Sequence, residues 1–227
     1  MRLPRISAGE LLRETRSRAV VFDMDGVLAD TERFHLDAWH RIVLELTGRE
    51  VPRDLVKGTF GQTNDAIIPI LWSAVGSDAP RDVAAIGRRK EEIYRDSARG
   101  EVQPIAGLFR FLRWLRDRGV PAGIATSGPM ANVRFLLDEF GIEDLFASIV
   151  DRAQFAAGKP APDCFLKAAE RLRARPERIL VFEDSIHGLR SARRGGFPVC
   201  AVATTLPERA LRLEARRVVR DFLDIAC

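Results

Sequence analysis

Cysteine is scarce in this chain, and its scarcity excludes two classes of protein. Cys164, Cys200 and Cys227 are the only cysteines; they stand far apart and lack CxxC spacing. Neither a disulfide framework nor a thiolate zinc site fits that pattern. Long apolar runs are missing too, and none approaches the ~20 residues of a membrane span. The first 18 residues carry charge but no apolar stretch, so they do not read as a secretory signal. A cytoplasmic protein with no membrane partner is expected. Lysine is rare, confined to Lys57, Lys90, Lys159 and Lys167. The net charge is only +4, from 36 basic and 32 acidic residues. No cationic stripe is interleaved with aromatics, so no nucleic-acid partner is expected. The densest basic cluster, Arg212, Arg216, Arg217 and Arg220, reads as a solvated helix face. Neither a Walker A loop nor a GxGxxG turn is present, which disfavours the common nucleotide folds.

What is present is a rhythm of short apolar runs and helical stripes. The 227 residues, 46% hydrophobic, are enough for one good core and a smaller second domain. Ala19 to Phe22, Gly123 to Ala125, Phe146 to Val150, Ile179 to Phe182 and Val199 to Val202 read as buried strands. Between them lie stripes of 3.6-residue period. Leu108, Phe111, Leu112 and Leu115 form one. Val133, Leu136, Leu137 and Phe140 form another, closed by Gly141. Phe165, Ala168, Ala169 and Leu172 form a third; Leu189 and Ala192 mark a fourth, ended by Gly195-Gly196. Strands alternating with helices predict an α/β fold, a doubly wound parallel sheet with helices on both faces. Residues 32 to about 102 break the rhythm with helical patterns alone. Phe34, Ala38, Trp39, Ile42, Val43 and Leu46 form one helix. Ile67, Ile68, Ile70 and Leu71 form a second with Pro69 near its start, and Ile86, Ile93 and Tyr94 mark a third. The expected domains are a Rossmann-like core of residues 1–31 and 102–227 and a helical cap of residues 32–101.

The chemistry gathers at strand ends. Asp23-Met24-Asp25-Gly26 follows the first strand directly, where open α/β sheets bind ligands. In extended chain, positions i and i+2 face one side ~7 Å apart, so Asp23 and Asp25 can flank one reacting group. Two carboxylates so close favour a divalent cation. A calcium loop is excluded, because its further acid positions hold Val27 and Phe34. Glu183-Asp184 repeats the design after the strand Ile179 to Phe182. Together the four acids suggest an oxygen-ligand magnesium site. Thr126 and Ser127 precede a helix, where a hydroxyl and backbone N–H groups suit phosphate oxygens; taken alone they read as a helix cap. Lys159, between Gly158 and Pro160 on a short loop, is placed to hold a phosphate as a point charge.

Asp23-x-Asp25, Thr126, Lys159 and Glu183-Asp184 resemble, in type, order and spacing, the four motifs of the haloacid dehalogenase superfamily. The stretches GVLADTERFHLDAWH, GKPAPDCF and FEDSIHGLRSARRGG are similar to its β-phosphoglucomutase-like branch of phosphatases and phosphomutases. The resemblance covers about residues 19 to 205. It implies a sheet order of 3-2-1-4-5 and a small helical cap. It also implies a nucleophile at Asp23, an acid and base at Asp25, and a Mg2+ site formed by Asp23, the Asp25 carbonyl, Asp184 and Glu183. Thr126 and Lys159 would stabilise the transferring oxygens. Ser127 would contact substrate, as would His35 and Lys90 of the cap, with His35 sharing a helix face with Trp39, Ile42 and Leu46. A monomer acting on a small phosphorylated metabolite is expected.

Within that resemblance two outcomes compete. Mutases of this branch carry a cap arginine after a Lys-Gly pair, to grip a distal phosphate. Here Lys57-Gly58 is followed by Thr59-Phe60-Gly61-Gln62-Thr63-Asn64-Asp65, without arginine. A phosphatase is therefore favoured over a mutase, although Lys90, Arg88 or Arg89 could compensate. A dehalogenase has no use for Asp25. A phospho-acceptor receiver module would not need the 70-residue insert or the DxD spacing.

Overall fold

The computed structural model describes residues 6–78 and 80–227. Six parallel strands form its main sheet: β1 (Ala19–Phe22), β2 (Ala122–Ala125), β3 (Ser148–Val150), β4 (Ile179–Glu183), β5 (Val199–Val202) and β6 (Arg217–Val219). Their order is β3-β2-β1-β4-β5-β6. The order expected for five strands is present, with β6 added at one edge. Both faces of the centre are dry. Val20, Phe22, Leu180 and Phe182 point into one core cluster, while Ala19, Val21, Ile179 and Val181 point into another. That alternation is the two-residue period of a strand covered on both sides. On the first face Phe22 stacks on Phe182 at 5.3 Å, with Phe111 edge-on to both. Each buried phenylalanine contributes roughly 1.5–3 kcal/mol by leaving water.

The helices, in chain order, are α1 (Ala8–Glu14), α2 (Glu32–Thr47), α3 (Arg53–Gly58), α4 (Asn64–Ala74), α5 (Val83–Ala98), α6 (Leu108–Asp117), α7 (Met130–Phe140), α8 (Asp163–Arg171), α9 (Ile186–Arg194) and α10 (Glu208–Leu211). The stripes on α6 to α9 face inward as expected. Gly141, at φ 62°, closes α7 in the left-handed conformation. Between β1 and β2 the insert holds α2 to α5, with Trp39 of α2 and Tyr94 of α5 buried. A short antiparallel ladder of Ala29–Asp30 with Gln103–Pro104 lies at the two ends of the insert.

Several expectations need correction. The insert contains a helix, α3, whose six residues are too few to show a stripe. Leu46 and Ile70 are exposed, so they stand outside the apolar faces of α2 and α4. Pro69 lies in the middle of α4. The cluster from Arg212 to Arg220 is no helix face: it runs from the end of α10 through β6. Arg212 pairs with Glu208, Arg217 with Glu14, and Arg220 with Asp224. Of the expected core, residues 1–5 lie outside the described residues. Ile6–Ser7 pair in parallel with Ile225–Ala226.

Candidate active site

β1 positions Asp23 at the sheet edge. Its backbone N–H donates to Phe182 O at 3.0 Å, so the β1–β4 ladder runs one residue past the strand. Gly26 then turns the chain with φ 75°, and a Cβ there would collide with the Asp184 carboxylate. Only glycine meets both demands. The turn carries Asp25 to Thr31 and His35. Thr31 Oγ1 donates to Asp25 Oδ1 at 2.9 Å, and His35 Nε2 lies 2.9 Å from the same oxygen.

β4 ends on Glu183, and Asp184 follows. Lys159, 3% exposed, bonds Asp23 Oδ1 at 2.6 Å and Glu183 Oε1 at 2.7 Å. The other Glu183 oxygen accepts from the Ser185 N–H and hydroxyl at 2.8 and 3.0 Å. Ser185 caps α9 by accepting from Gly188 N. Gly188 is pressed against the Glu183 carboxylate, with no space for a Cβ. Gly188→Ala is therefore expected to destabilise the fold by about 1–3 kcal/mol, the range for overpacking. Urea unfolding would measure it, and an unchanged midpoint would refute the contact.

Thr126 extends the β2–β3 ladder, its N–H donating to Val150 O at 3.0 Å, while its hydroxyl accepts from Gly128 N. Ser127 does something the sequence does not announce. Its hydroxyl donates to Gly61 O in the insert at 2.8 Å. Gln62 beside it approaches His187 at 3.1 Å. Lys90 is 2% exposed and donates to His35 Nδ1 at 2.7 Å. Asp23, Asp25, Thr126, Ser127, His35 and Lys90 all line one cleft between the sheet edge and the insert.

Sequence reasoning missed Thr205, whose hydroxyl bonds Asp184, and Thr204, which donates to Gly26 O at 2.5 Å. Their position just past β5, at the same sheet edge, was the available signal. Glu91 and Asn132 were also missed, and an acid beside Lys90 gave no sign of facing the cleft.

The sheet edge concentrates buried negative charge. Burial raises the Asp23 carboxyl, Lys159 opposes that, and Glu183 reinforces it. Asp184 is raised well above the usual range, first by burial and then by Glu183 and Asp23. Lysine alone does not balance this charge. Asp23, Glu183 and Asp184 each offer an oxygen within 4.8 Å of the others. An all-oxygen donor set of that charge fits a hard divalent ion. The Asp25 carboxylate lies outside this group. Desolvation pushes Asp25 up, but His35, Thr31 and Lys90 outweigh it, and its carboxyl sits below the usual range.

Comparison with known proteins identifies the family. The family model of haloacid dehalogenase-like hydrolases matches residues 17–196. The chain belongs to that family. Among its relatives, β-phosphoglucomutase of Mycobacterium bovis is 30% identical over 98% of this chain and 96% of its own. A phosphorylated carbohydrates phosphatase of Thermotoga maritima is 29% identical over 88% of this chain and 92% of its own. The crystal structure of CbbY from Rhodobacter sphaeroides, in complex with phosphate, superposes with a TM-score of 0.82 at 27% identity, covering 91% and 95%. Like other haloacid dehalogenase-like hydrolases, the chain is an enzyme. Among its described residues no helix is long and apolar enough to cross a membrane.

Proposed function

We propose that this hydrolase is a magnesium-dependent phosphatase of small phosphate monoesters, with phosphosugars as its substrate class. The supporting observation is the sheet-edge cluster. Asp23 stands against Lys159 and two further carboxylates, with Asp25 beside it on the cleft wall. Phosphosugars are suggested by the relatives, a phosphorylated carbohydrates phosphatase and a β-phosphoglucomutase. Asp23, Asp184, Glu183 and the Asp25 carbonyl would hold magnesium, which when bound neutralises the anions facing the phosphoryl group.

The protein's own groups perform the remaining steps. An Asp23 oxygen attacks phosphorus in line with the ester oxygen. The P–O ester bond breaks, and its electron pair leaves with the ester oxygen. Asp25 gives that oxygen a proton, and the alcohol departs. Asp25 is ionised in the empty cleft. A phosphoryl anion beside it adds like charge, which raises its proton affinity. In the second half, Asp25 takes a proton from water. The resulting hydroxide attacks phosphorus, the bond to Asp23 breaks, and inorganic phosphate leaves. Lys159 and Thr126 stabilise the equatorial oxygens throughout.

Water rather than a sugar hydroxyl is the proposed acceptor. A mutase must grip a second phosphate, which calls for a free cation on the insert. Among the described residues lining the cleft, Lys90 is the only lysine or arginine. It is already committed to His35 and Glu91. Arg88 and Arg89 are exposed, and Arg89 pairs with Glu92. Hexose 1-phosphates and 6-phosphates should therefore yield free phosphate without isomer formation. Efficient interconversion with little free phosphate would replace the phosphatase reading with a mutase.

A further inference from the structure

The loop after β5 reaches back over the sheet edge. Its base is firm. Ala203 extends β5 by one residue, with its N–H donating to Val219 O of β6 at 2.8 Å. Leu206 packs on the cluster of Leu189, Ala201 and Leu211. Thr204 and Thr205 therefore stand between two anchored residues. Thr204 Oγ1 donates to Gly26 O at 2.5 Å, and Thr205 Oγ1 donates to Asp184 Oδ2. One dipeptide thus ties β5 both to the turn after β1 and to the acid after β4. The contact is close-packed as well as polar. A Cβ built on Gly26 would lie 2.0 Å from Asp184 Oδ2 and 2.8 Å from Thr205 Oγ1. Asp184 Oδ2 is wedged between the Gly26 backbone and the threonine hydroxyl.

Each acid of the cluster is restrained in a similar way. Asp23 Oδ1 and Glu183 Oε1 both accept from Lys159, and Glu183 Oε2 accepts from the Ser185 N–H and hydroxyl. None of the three carboxylates keeps both oxygens free. An ionised carboxylate only accepts, so the threonine hydroxyl remains the donor to Asp184 when a cation is present. With Oδ2 held, Asp184 has Oδ1 left to offer. That restriction bears unequally on the two common hard cations. Calcium takes more oxygens, at longer range and in a flexible shell, and uses carboxylates through both oxygens. Magnesium takes fewer, in a strict octahedron, and keeps part of its water. A carboxylate free to turn can serve either ion. One pinned by a hydroxyl presents a single oxygen in a fixed place, and the larger ion loses more by it.

We propose that Thr205 is a positioning residue that holds Asp184 to one-oxygen ligation and so makes the sheet-edge site select magnesium over calcium. The proposal rests on the reading of this edge as a magnesium site, and the test separates the two. Substrate-free wild type, Thr205→Val and Thr205→Ser are titrated with magnesium chloride and, separately, with calcium chloride. The rise in melting temperature gives an apparent Kd for each ion, and no turnover enters the measurement. Valine keeps the branched shape and removes the hydroxyl; serine keeps the hydroxyl. Wild type should bind magnesium more tightly than calcium. Partners that hold a metal ligand from behind are worth about 10–100-fold in affinity, so Thr205→Val should weaken magnesium by about tenfold or more. Calcium should weaken by no more than about threefold, because the released carboxylate can turn both oxygens to the larger ion. Thr205→Ser should keep the wild-type ratio of the two constants. A merely structural loss would weaken both ions by one factor. That outcome, an unchanged magnesium constant in Thr205→Val, or a wild-type preference for calcium would overturn the proposal. A wild-type chain that gains no stability from magnesium would overturn the site reading along with it. The melting temperature without added ion checks that each variant folds. If valine cannot be seated, Thr205→Ala removes the same hydroxyl with a smaller side chain at this half-buried position. It should shift the ratio in the same direction, and an unchanged ratio would count equally against the proposal.

Discussion

Asp23→Asn is expected to lower turnover by at least about 10⁴-fold, the scale on which removal of a nucleophile is felt. The amide matches the carboxylate in shape but is a far poorer nucleophile. Lys159 keeps a partner, because Glu183 Oε1 lies 2.7 Å away. The fold should therefore survive, and the melting temperature of the variant checks that it does. The decisive readout is covalent. Wild-type protein quenched in acid during turnover should carry one phosphoryl group, visible as a mass increase. The variant should carry none. Near-wild-type turnover by Asp23→Asn would remove Asp23 from the mechanism. A wild-type chain that takes up one phosphoryl group and never releases it would be a receiver, not a phosphatase.

The sheet was legible because its centre is buried on both faces. Runs such as Ile179 to Phe182 have no polar positions, and Ala19 to Phe22, Gly123 to Ala125 and Ile179 to Phe182 are each followed by an acid or hydroxyl. Composition alone supports that reading, since no helix covers those residues with a 3.6-residue stripe. β6 escaped notice for the opposite reason. Arg217-Val218-Val219 is three residues long and flanked by arginines, so its charge outweighed its apolar content. Arg217 and Arg220 find carboxylates at Glu14 and Asp224, far away or on the other side of a turn. No local pattern encodes such pairs.

The residues that converge at the sheet edge were also legible, because the topology brings strand ends together whatever their spacing. Asp23, Thr126 and Glu183 come from three adjacent strands. Lys159 lies on the loop after β3 and still reaches Asp23 at 2.6 Å. The insert was harder to read. Its helices carry amphipathic stripes, but which polar residues face the cleft depends on how α2 and α5 rotate against each other. Lys90 and Glu91 have the look of surface charges in Arg88-Arg89-Lys90-Glu91-Glu92. Only the packed structure separates the buried pair from exposed Arg88, Arg89 and Glu92. Ser127 is a related case. Its place after β2 suggests a phosphate ligand, whereas its hydroxyl is spent on Gly61 O across the cleft.

Removing the divalent ion should abolish turnover, by at least about 10³-fold, since charge stabilisation of this kind is worth several kcal/mol. Magnesium added back should restore it, and full activity in chelator would refute the site. A second readout needs no substrate. In the metal-free chain burial and neighbouring carboxylates raise Asp23 from 3.8 to about 7, and Asp184 is raised as well. Such groups bind protons more tightly folded than unfolded. By linkage they add stability as pH falls from about 7 toward 4, and withdraw it as pH rises through that window. Asp25 and Glu91 are shifted the other way, so their contribution is lost only in acid, below that window. The metal-free protein should therefore melt higher at about pH 5 than at about pH 7.5, where these two carboxyls are most strained. Magnesium should reverse that order. At a hundred times its dissociation constant it adds about 2.7 kcal/mol, or roughly 5–10 °C for a chain of this length. The gain should be largest at the higher pH, where no proton competes for the carboxylates. Replacing Asp184 with asparagine should remove most of the magnesium-induced shift and raise the metal-free melting temperature at neutral pH. A magnesium shift of the same size in Asp184→Asn would place the ion elsewhere.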